Sequence, residues 1–358
     1  MHKTNYVKSV FISALFLIFT ACSTTTIFNP PLYEIPGDWQ PDSIRTKTIL
    51  SYSKYLSGKK IFLDPGHGGE DRRNKNPKGD VIEADVNLRV ALNLKSYFEK
   101  AGCTVFISRD KDTTVQLGYR SELANNSGAD IFISIHHNAP GKSEDIFTNY
   151  TSVYYHAKEV NYEFEPCNRD MARYVARDLS YVMGNPTGLG SFDGSYSDYN
   201  IYPGEGFSVL RKTKIPAILI EGAFHTSRYE ELRLNNEEFN SIQAWGIFRG
   251  IARYFKAGIP KIELIPDSTG YKENNLKLCF AVNDSAGIDK HSVRFYFNKE
   301  ERDFLFDKEK NFVSVNLTEV VPGEYPVKIN AANKNGNNSL PFRRIIKISN
   351  DGSISVTE

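Results

Sequence analysis

The chain has 358 residues, 40% of them apolar, with 44 basic and 43 acidic side chains. That length is enough for two domains with proper cores, and the near balance of charge excludes a bulk electrostatic case for nucleic acid or another polyanion. Four cysteines without CxxC spacing give no support to a thiolate metal site or a cysteine nucleophile, and Cys103 and Cys279 lie in apolar runs that read as core.

Lys3 and Lys8 precede an apolar run from Val10 to Ala21, too short to span a hydrocarbon layer of about 30 Å and patterned as a secretory leader. Its end, Phe19-Thr20-Ala21-Cys22, resembles a bacterial lipobox with Phe19 where leucine is usual. Residues 1–22 are therefore expected to be a lipoprotein signal peptide, with lipid on Cys22 anchoring the mature chain to a membrane. Ser23 behind the cysteine resembles the sorting signal of outer-membrane lipoproteins, so the expected location is periplasm-facing on that membrane. Ordinary cleavage near Ala21 would instead give a soluble periplasmic protein. Residues 23–58, with Pro30-Pro31, Pro36-Gly37 and Pro41, read as a tether containing a short helix near Ile44 to Tyr55.

From Lys59 to Ala257 strand-like and helix-like patterns alternate, which predicts an α/β domain with a mostly parallel twisted sheet flanked by helices. Strands are expected at Ile61 to Asp64, Thr104 to Ser108, Ile131 to Ile135, Ser152 to Tyr155 and Ala217 to Ile220. Val90, Ala91, Leu94, Tyr97, Phe98 and Ala101 recur at helical spacing, as do Met171, Val175, Leu179 and Val182, and a last amphipathic helix runs from about Glu237 to Phe255.

Three of these strands end in titratable side chains. Ile61-Phe62-Leu63 runs through Asp64-Pro65-Gly66 into His67, Ile131 to Ile135 into His136-His137, and Ile218-Leu219-Ile220 into Glu221. The C-terminal rim of an open sheet is where ligands bind. Extending the first helix's buried stripe back from Leu94 through Val90 and Asn87 arrives at Glu83, which a helix following a parallel strand brings to the same rim. Two imidazoles and a carboxylate are the donors of a catalytic zinc with one position left open, and a spare carboxylate can move a proton. The residues alone leave open whether His136 or His137 joins His67, and whether Glu83 or Glu70, spaced His67-x-x-Glu70, supplies the carboxylate.

Five blocks carry a resemblance: Asp64-Pro65-Gly66-His67-Gly68-Gly69; Glu83-Ala84-Asp85-Val86-Asn87-Leu88; Ser108-Arg109 with Leu117-Gly118-Tyr119-Arg120 and Ala124-Asn125; Ser134-Ile135-His136-His137-Asn138-Ala139; and Val209-Leu210-Arg211 followed by Ile215 to Phe224. In that order over residues 59–257 they resemble the zinc-dependent N-acetylmuramoyl-L-alanine amidases. The resemblance implies that His67, Glu83 and His136 bind Zn²⁺ and that Glu221 is the catalytic carboxylate. It implies hydrolysis of the amide between the lactyl group of N-acetylmuramic acid and L-alanine, with peptidoglycan as the partner. It favours Glu83 over Glu70 and His136 over His137. His225, where the family usually has an apolar residue, is expected in a loop, and Arg109, Arg120 and Arg211 in structural ion pairs. A catalytically silent wall-binding lipoprotein would not need Glu221, and a zinc carboxypeptidase would need a cation committed to a terminal carboxylate, which no motif supplies.

After Pro260 the pattern turns to alternation without helical stripes, at Lys261 to Ile265, Leu276 to Val282, Val293 to Asn298, Asn311 to Leu317, Tyr325 to Ala331 and Arg343 to Ser349. Residues 260–350 are expected to form a smaller all-β sandwich whose turns resemble bacterial immunoglobulin-like modules. A structural role suits it, since the sequence names neither an activator nor a wall ligand for it.

Overall fold

A computed structural model describes residues 31–141, 144–188 and 190–357; the leader, the lipobox and Cys22 lie outside the described residues. Each apolar run read as a strand forms one: β1 (Lys60–Pro65), β2 (Thr104–Ile107), β3 (Ile131–Asn138), β4 (Ser152–Tyr155) and β6 (Ala217–Phe224), joined by a short β5 (Ser195–Ser197). The sheet order is β2-β1-β3-β6-β4-β5. β1 pairs in parallel with β2 and β3, and β3 with β6, but β4 is antiparallel to β6 and β5 parallel to β4.

The sheet is mostly parallel, as expected, and turns antiparallel where β4 meets β6. The physical reason for that antiparallel step is the connection: among the described residues no helix crosses over between β3 and β4, so the chain turns back at the rim, and only the antiparallel direction is then open. β5 has no apolar run to announce it and exists by pairing with β4, Val153 opposite Ser195 and Tyr155 opposite Ser197.

Side-chain alternation along the strands builds two cores. Ile61 and Leu63 of β1, Ile131 and Ile133 of β3, and Ile218 and Ile220 of β6 face a layer of three helices, α2 (Glu83–Lys100), α4 (Pro166–Met183) and α7 (Glu237–Lys256). Phe62, Phe132 and Leu219 face the other way, onto α3 (Leu117–Asn126) and α5 (Ser208–Lys212). α4 and α7 meet closely: a Cβ at Gly250 would lie 2.6 Å from Val175 Cα. Among the described residues no helix is long and apolar enough to cross a membrane.

Part of the stretch read as tether is folded. Helix α1 (Asp42–Leu56) matches the expected short helix and buries Ile49 and Leu56. Ahead of it Trp39, 5% exposed, donates its indole N–H to Tyr97 OH at 3.0 Å, and Asp38 accepts from Trp245 Nε1 at 3.0 Å and pairs with Arg249 at 3.0 Å. The aperiodic sequence from Tyr33 to Pro41 is held by single anchors, which no hydrophobic period reveals.

The C-terminal part is all-β, as expected, in two antiparallel five-stranded sheets. One holds β10 (Ile288–Phe297), β11 (Glu300–Glu301), β14 (Gly323–Asn333), β15 (Phe342–Ile348) and β16 (Ile354–Thr357); the other holds β7 (Lys261–Leu264), β8 (Gly270–Lys272), β9 (Asn275–Asn283), β12 (Leu305–Asp307) and β13 (Phe312–Leu317). Leu276, Leu278, Phe280 and Val282 of β9 point alternately inward against Val313, Phe295 and Ile329. The joint to the α/β part is polar and specific. Lys328, 1% exposed, donates to Phe164 O at 2.5 Å and Tyr162 O at 2.9 Å, while Arg343 binds Glu165 at 2.6 Å. Asp170 accepts from the Asn338 backbone and side chain at 2.7 and 2.9 Å, and Asn337 donates to Tyr254 O at 2.9 Å.

Because Trp39 fills a pocket that Ala cannot, Trp39→Ala is expected to lower unfolding free energy by about 3 kcal/mol. Chemical denaturation checks this; an unchanged midpoint would show that residues 33–41 merely rest on the domain.

Candidate metal centre

β1 stops at Pro65, and the next residues take conformations that only a constrained turn tolerates. His67 has φ +59°, in the left-handed region, followed by Gly68 at +117° and Gly69 at +62°. Two arginines hold this turn by its carbonyls. Arg120 donates to Pro65 O at 2.8 Å and His67 O at 2.9 Å, and Arg109 to Pro65 O and Gly66 O, both at 2.9 Å. Arg120 also pairs at 2.7 Å with buried Asp64, whose other bonds come from Ser108 (2.6 Å) and Ser134 (2.9 Å). The expected structural ion pair thus exists for Arg120. Arg211 also meets the expectation, pairing with the Glu205 carboxylate at 3.7 Å and bonding its carbonyl at 2.5 Å, whereas Arg109 works through carbonyls, adding Ala84 O at 2.7 Å.

The turn brings His67 to Glu83, the first residue of α2 and 2% exposed. His67 Nε2 lies 3.2 Å from Glu83 Oε2, and His136 Nδ1 lies 3.0 Å from Glu83 Oε1. The rings are nearly perpendicular, with centroids 5.0 Å apart. One potential ligand atom from each of His67, Glu83 and His136 falls within 4.8 Å of the others. Burial alone would raise the Glu83 pKa, yet the His136 and His67 imidazoles overcome it and hold the carboxyl well below its usual range. Burial likewise opposes charge on His67, and Glu83 and Asp71 outweigh it, raising that imidazole to about 9.

Successive side chains of β3 point to opposite faces, and His137 continues the face of Ile131, Ile133 and Ile135. His136 joins the cluster, whereas His137 points into the interior, its Nδ1 2.8 Å from Asn87 Oδ1 and its Nε2 3.0 Å from Gln243 Nε2. Burial pushes His137 down to about 3, so it is neutral. Glu70 is exposed, its backbone N–H on Thr114 Oγ1 at 2.9 Å, and stays outside the cluster. His225 lies in the turn after β6, as a loop residue should, but is buried with Nδ1 3.1 Å from His137 O.

Glu221 sits on β6 directly opposite His136 in register, with Ser152 of β4 on its other side. Its Oε2 is buried and has no hydrogen-bond partner among the described residues. Burial and the nearby Glu83 charge push its pKa well above the usual carboxyl value.

Two residues of the site carry no signal in the sequence. Asp71 Oδ2 is 2.8 Å from His67 Nδ1, which leaves Nε2 facing Glu83, and Asn74 Nδ2 donates to Glu83 Oε2 at 2.9 Å. Both belong to an aperiodic loop, so only their place in space identifies them. Two imidazoles and one carboxylate with converging donors, beside a buried carboxylate oxygen lacking a partner, fit a divalent cation of the zinc kind.

A family model described as N-acetylmuramoyl-L-alanine amidase matches residues 61–253. The chain is 30% identical over 218 residues to the germination-specific N-acetylmuramoyl-L-alanine amidase of Bacillus subtilis, covering 57% of this chain and 83% of that one. It is 32% identical over 203 residues to the probable cell wall amidase LytH of Staphylococcus aureus, covering 56% of this chain and 60% of that relative. A solved N-acetylmuramoyl-L-alanine amidase from Clostridium difficile 630 aligns at 30% identity and a TM-score of 0.48, over 56% of this chain and 98% of that one. The C-terminal sheets lie outside the family match.

Gly66 leaves the space that the His136 ring fills, since a Cβ there would be 2.1 Å from His136 Cε1. Gly66→Ala is therefore expected to expel the ring and abolish cation binding while circular dichroism stays unchanged. Full zinc stoichiometry in this variant would show that His136 is not needed where the structure puts it.

Proposed function

Because the chain belongs to the N-acetylmuramoyl-L-alanine amidase family, we propose that it is a zinc-dependent hydrolase of peptidoglycan, cutting between the lactyl group of N-acetylmuramic acid and the L-alanine of the stem peptide. The observation that carries this reading is the meeting of His67, Glu83 and His136 opposite a buried, unpartnered Glu221 oxygen. His67, Glu83 and His136 would hold the cation. When bound, the cation supplies Lewis acidity for the scissile carbonyl and acidifies water at neutral pH.

The chain's own groups do the rest. Asp71 fixes His67 with Nδ1–H toward its carboxylate, so that the Nε2 lone pair faces the cluster. Glu221 takes a proton from the attacking water and returns it to the departing alanine nitrogen, because an amide nitrogen cannot leave as an anion. A carboxyl at an ordinary pKa of about 4.3 would hold that proton too weakly to deliver it, and the raised affinity of Glu221 suits both halves of the task. The products are a free glycan and a stem peptide with a new amine.

We assign the anchor to a lipid on Cys22, on the periplasmic face of the outer membrane, with the residues between Cys22 and Tyr33 as the tether. The C-terminal sheets act in this reading as a spacer of immunoglobulin-like type, supported by their many directed bonds to α4 and the end of α7.

Purified peptidoglycan incubated with the zinc-loaded protein should release fragments whose masses place the cut at the lactyl–alanine amide. Glu221→Gln is expected to keep its zinc and lose about 10² to 10⁴ in turnover, whereas His67→Ala should lose the zinc itself. A Glu221→Gln protein with full zinc and near-normal turnover would rule out Glu221 as the proton carrier. Separately, Cys22→Ala should release the protein from membranes without reducing hydrolysis by purified protein; unchanged fractionation would discard the lipid anchor.

A further inference from the structure

The hydrogen bonds that end on Glu83 begin far from the cluster. Glu83 Oε1 accepts from Asn87 Nδ2 at 3.2 Å and from the His137 backbone N–H at 3.1 Å. Asn87 Nδ2 also donates to Gly66 O at 3.3 Å, so its carbonyl oxygen is the atom left facing His137 Nδ1, 2.8 Å away. A carbonyl oxygen only accepts, so His137 carries its proton on Nδ1 and presents a lone pair at Nε2. That lone pair meets Gln243 Nε2 at 3.0 Å, and the same amide nitrogen reaches the Met183 sulfur at 3.7 Å. Gln243 Oε1 accepts from Asn240 Nδ2 at 3.2 Å, and Asn240 Oδ1 accepts from Arg89 Nε at 2.5 Å.

A guanidinium can only donate and an ionised carboxylate can only accept, so the two ends fix the direction of every bond between them. Asn87, His137, Asn240 and Gln243 are all buried. Reversing any one of them would set a donor against a donor, or an acceptor against an acceptor, where water cannot repair the mismatch. Neither His137 nor Gln243 offers an atom to the cluster.

We infer that Arg89, Asn240, Gln243 and His137 form a one-way hydrogen-bonded chain that positions Glu83, through Asn87, for the divalent cation, so that residues of α7 set the affinity of the centre. This rests on the cation-dependent reading above. Locking Oε1 under Asn87 and the His137 N–H leaves Oε2 on the side of His67, and partners at this remove are typically worth 10- to 100-fold in metal affinity.

The test uses the full chain and zinc alone as the probe, with affinity read by competition against a chromophoric chelator. His137→Leu and Gln243→Leu are each expected to weaken zinc by about tenfold or more. The double variant should be no weaker than the worse single, because both break one chain. His137→Gln, whose amide offers a donor and an acceptor in place of the two ring nitrogens, should recover most of the loss. In the unsubstituted, cation-free protein, ring ¹⁵N resonances should show His137 as the Nδ1–H tautomer. That measurement decides the matter even if a leucine variant does not fold. Unchanged zinc affinity in both leucine variants, losses that add, or an Nε2–H tautomer would overturn the chain. Peptidoglycan digestion by the unsubstituted protein is scored separately. A protein that binds zinc with the expected variant effects but releases no stem peptide overturns the amidase reading alone, and one that digests while its leucine variants keep their zinc overturns the chain alone.

Discussion

A buried negative charge at the head of a helix is the constraint on which the rest of this structure depends. Removing a carboxylate from water costs several kcal/mol unless charge and hydrogen bonds replace the solvent. Glu83 receives both: an imidazole from β3 and one from the turn after β1, amide donors from Asn74 and Asn87, a backbone N–H from His137, and the positive end of α2. Those partners come from β3, the loop after β1 and α2 itself, so the carboxylate can be satisfied only when the sheet and the helix that follows β1 are assembled. The turn at His67, strained on its own, persists because Arg109 and Arg120 tie its carbonyls to buried positions. Strain at His67 and compensation beneath it belong to one arrangement.

This dependence explains why much of the site is legible in the sequence. A strand buried on both faces needs an apolar run, so Ile61 to Leu63, Ile131 to Ile135 and Ile218 to Ile220 stand out, and the residues that follow each run come to the rim, directly for His136 and Glu221 and after Asp64-Pro65-Gly66 for His67. Glu83 is legible because helical periodicity extends backward from Leu94 without a break. The turn glycines are legible for a steric reason, and Gly66 in particular faces an imidazole ring at a distance where no side chain fits.

What could not be read has equally definite causes. Side-chain periodicity does not encode strand direction, so nothing in Ser152 to Tyr155 says that β4 opposes β6. Ser195 to Ser197 becomes a strand only by borrowing the hydrogen bonds of β4. Asp71 and Asn74 sit in a loop without period, and the Trp39 anchor is one residue in a stretch that otherwise reads as linker. The divergence of His136 and His137, by contrast, is ordinary strand alternation, which puts His137 on the face of Ile133 and Ile135 and His136 on the other.

Glu83 and Glu221 show how one fold gives the same functional group two opposite environments. Glu83 and Glu221 are both withdrawn from solvent, and burial pushes both toward the neutral form; the difference lies in what surrounds them. Glu83 is ringed by donors and imidazoles that favour its charged state, whereas Glu221 has an oxygen with no donor at all and a neighbouring anion in Glu83. Each sharpens the other, because the more firmly Glu83 stays ionised, the more its field raises the proton affinity of Glu221. The environments drive the two pKa values apart, one carboxyl toward the charged form and the other toward the protonated form. The hydrogen-bonded chain from Arg89 supports the first member of that pair and thereby, through electrostatics alone, the second. The chemistry at β6 is thus set in part by side chains of α2 and α7 that have no contact with Glu221 in the hydrogen-bond network.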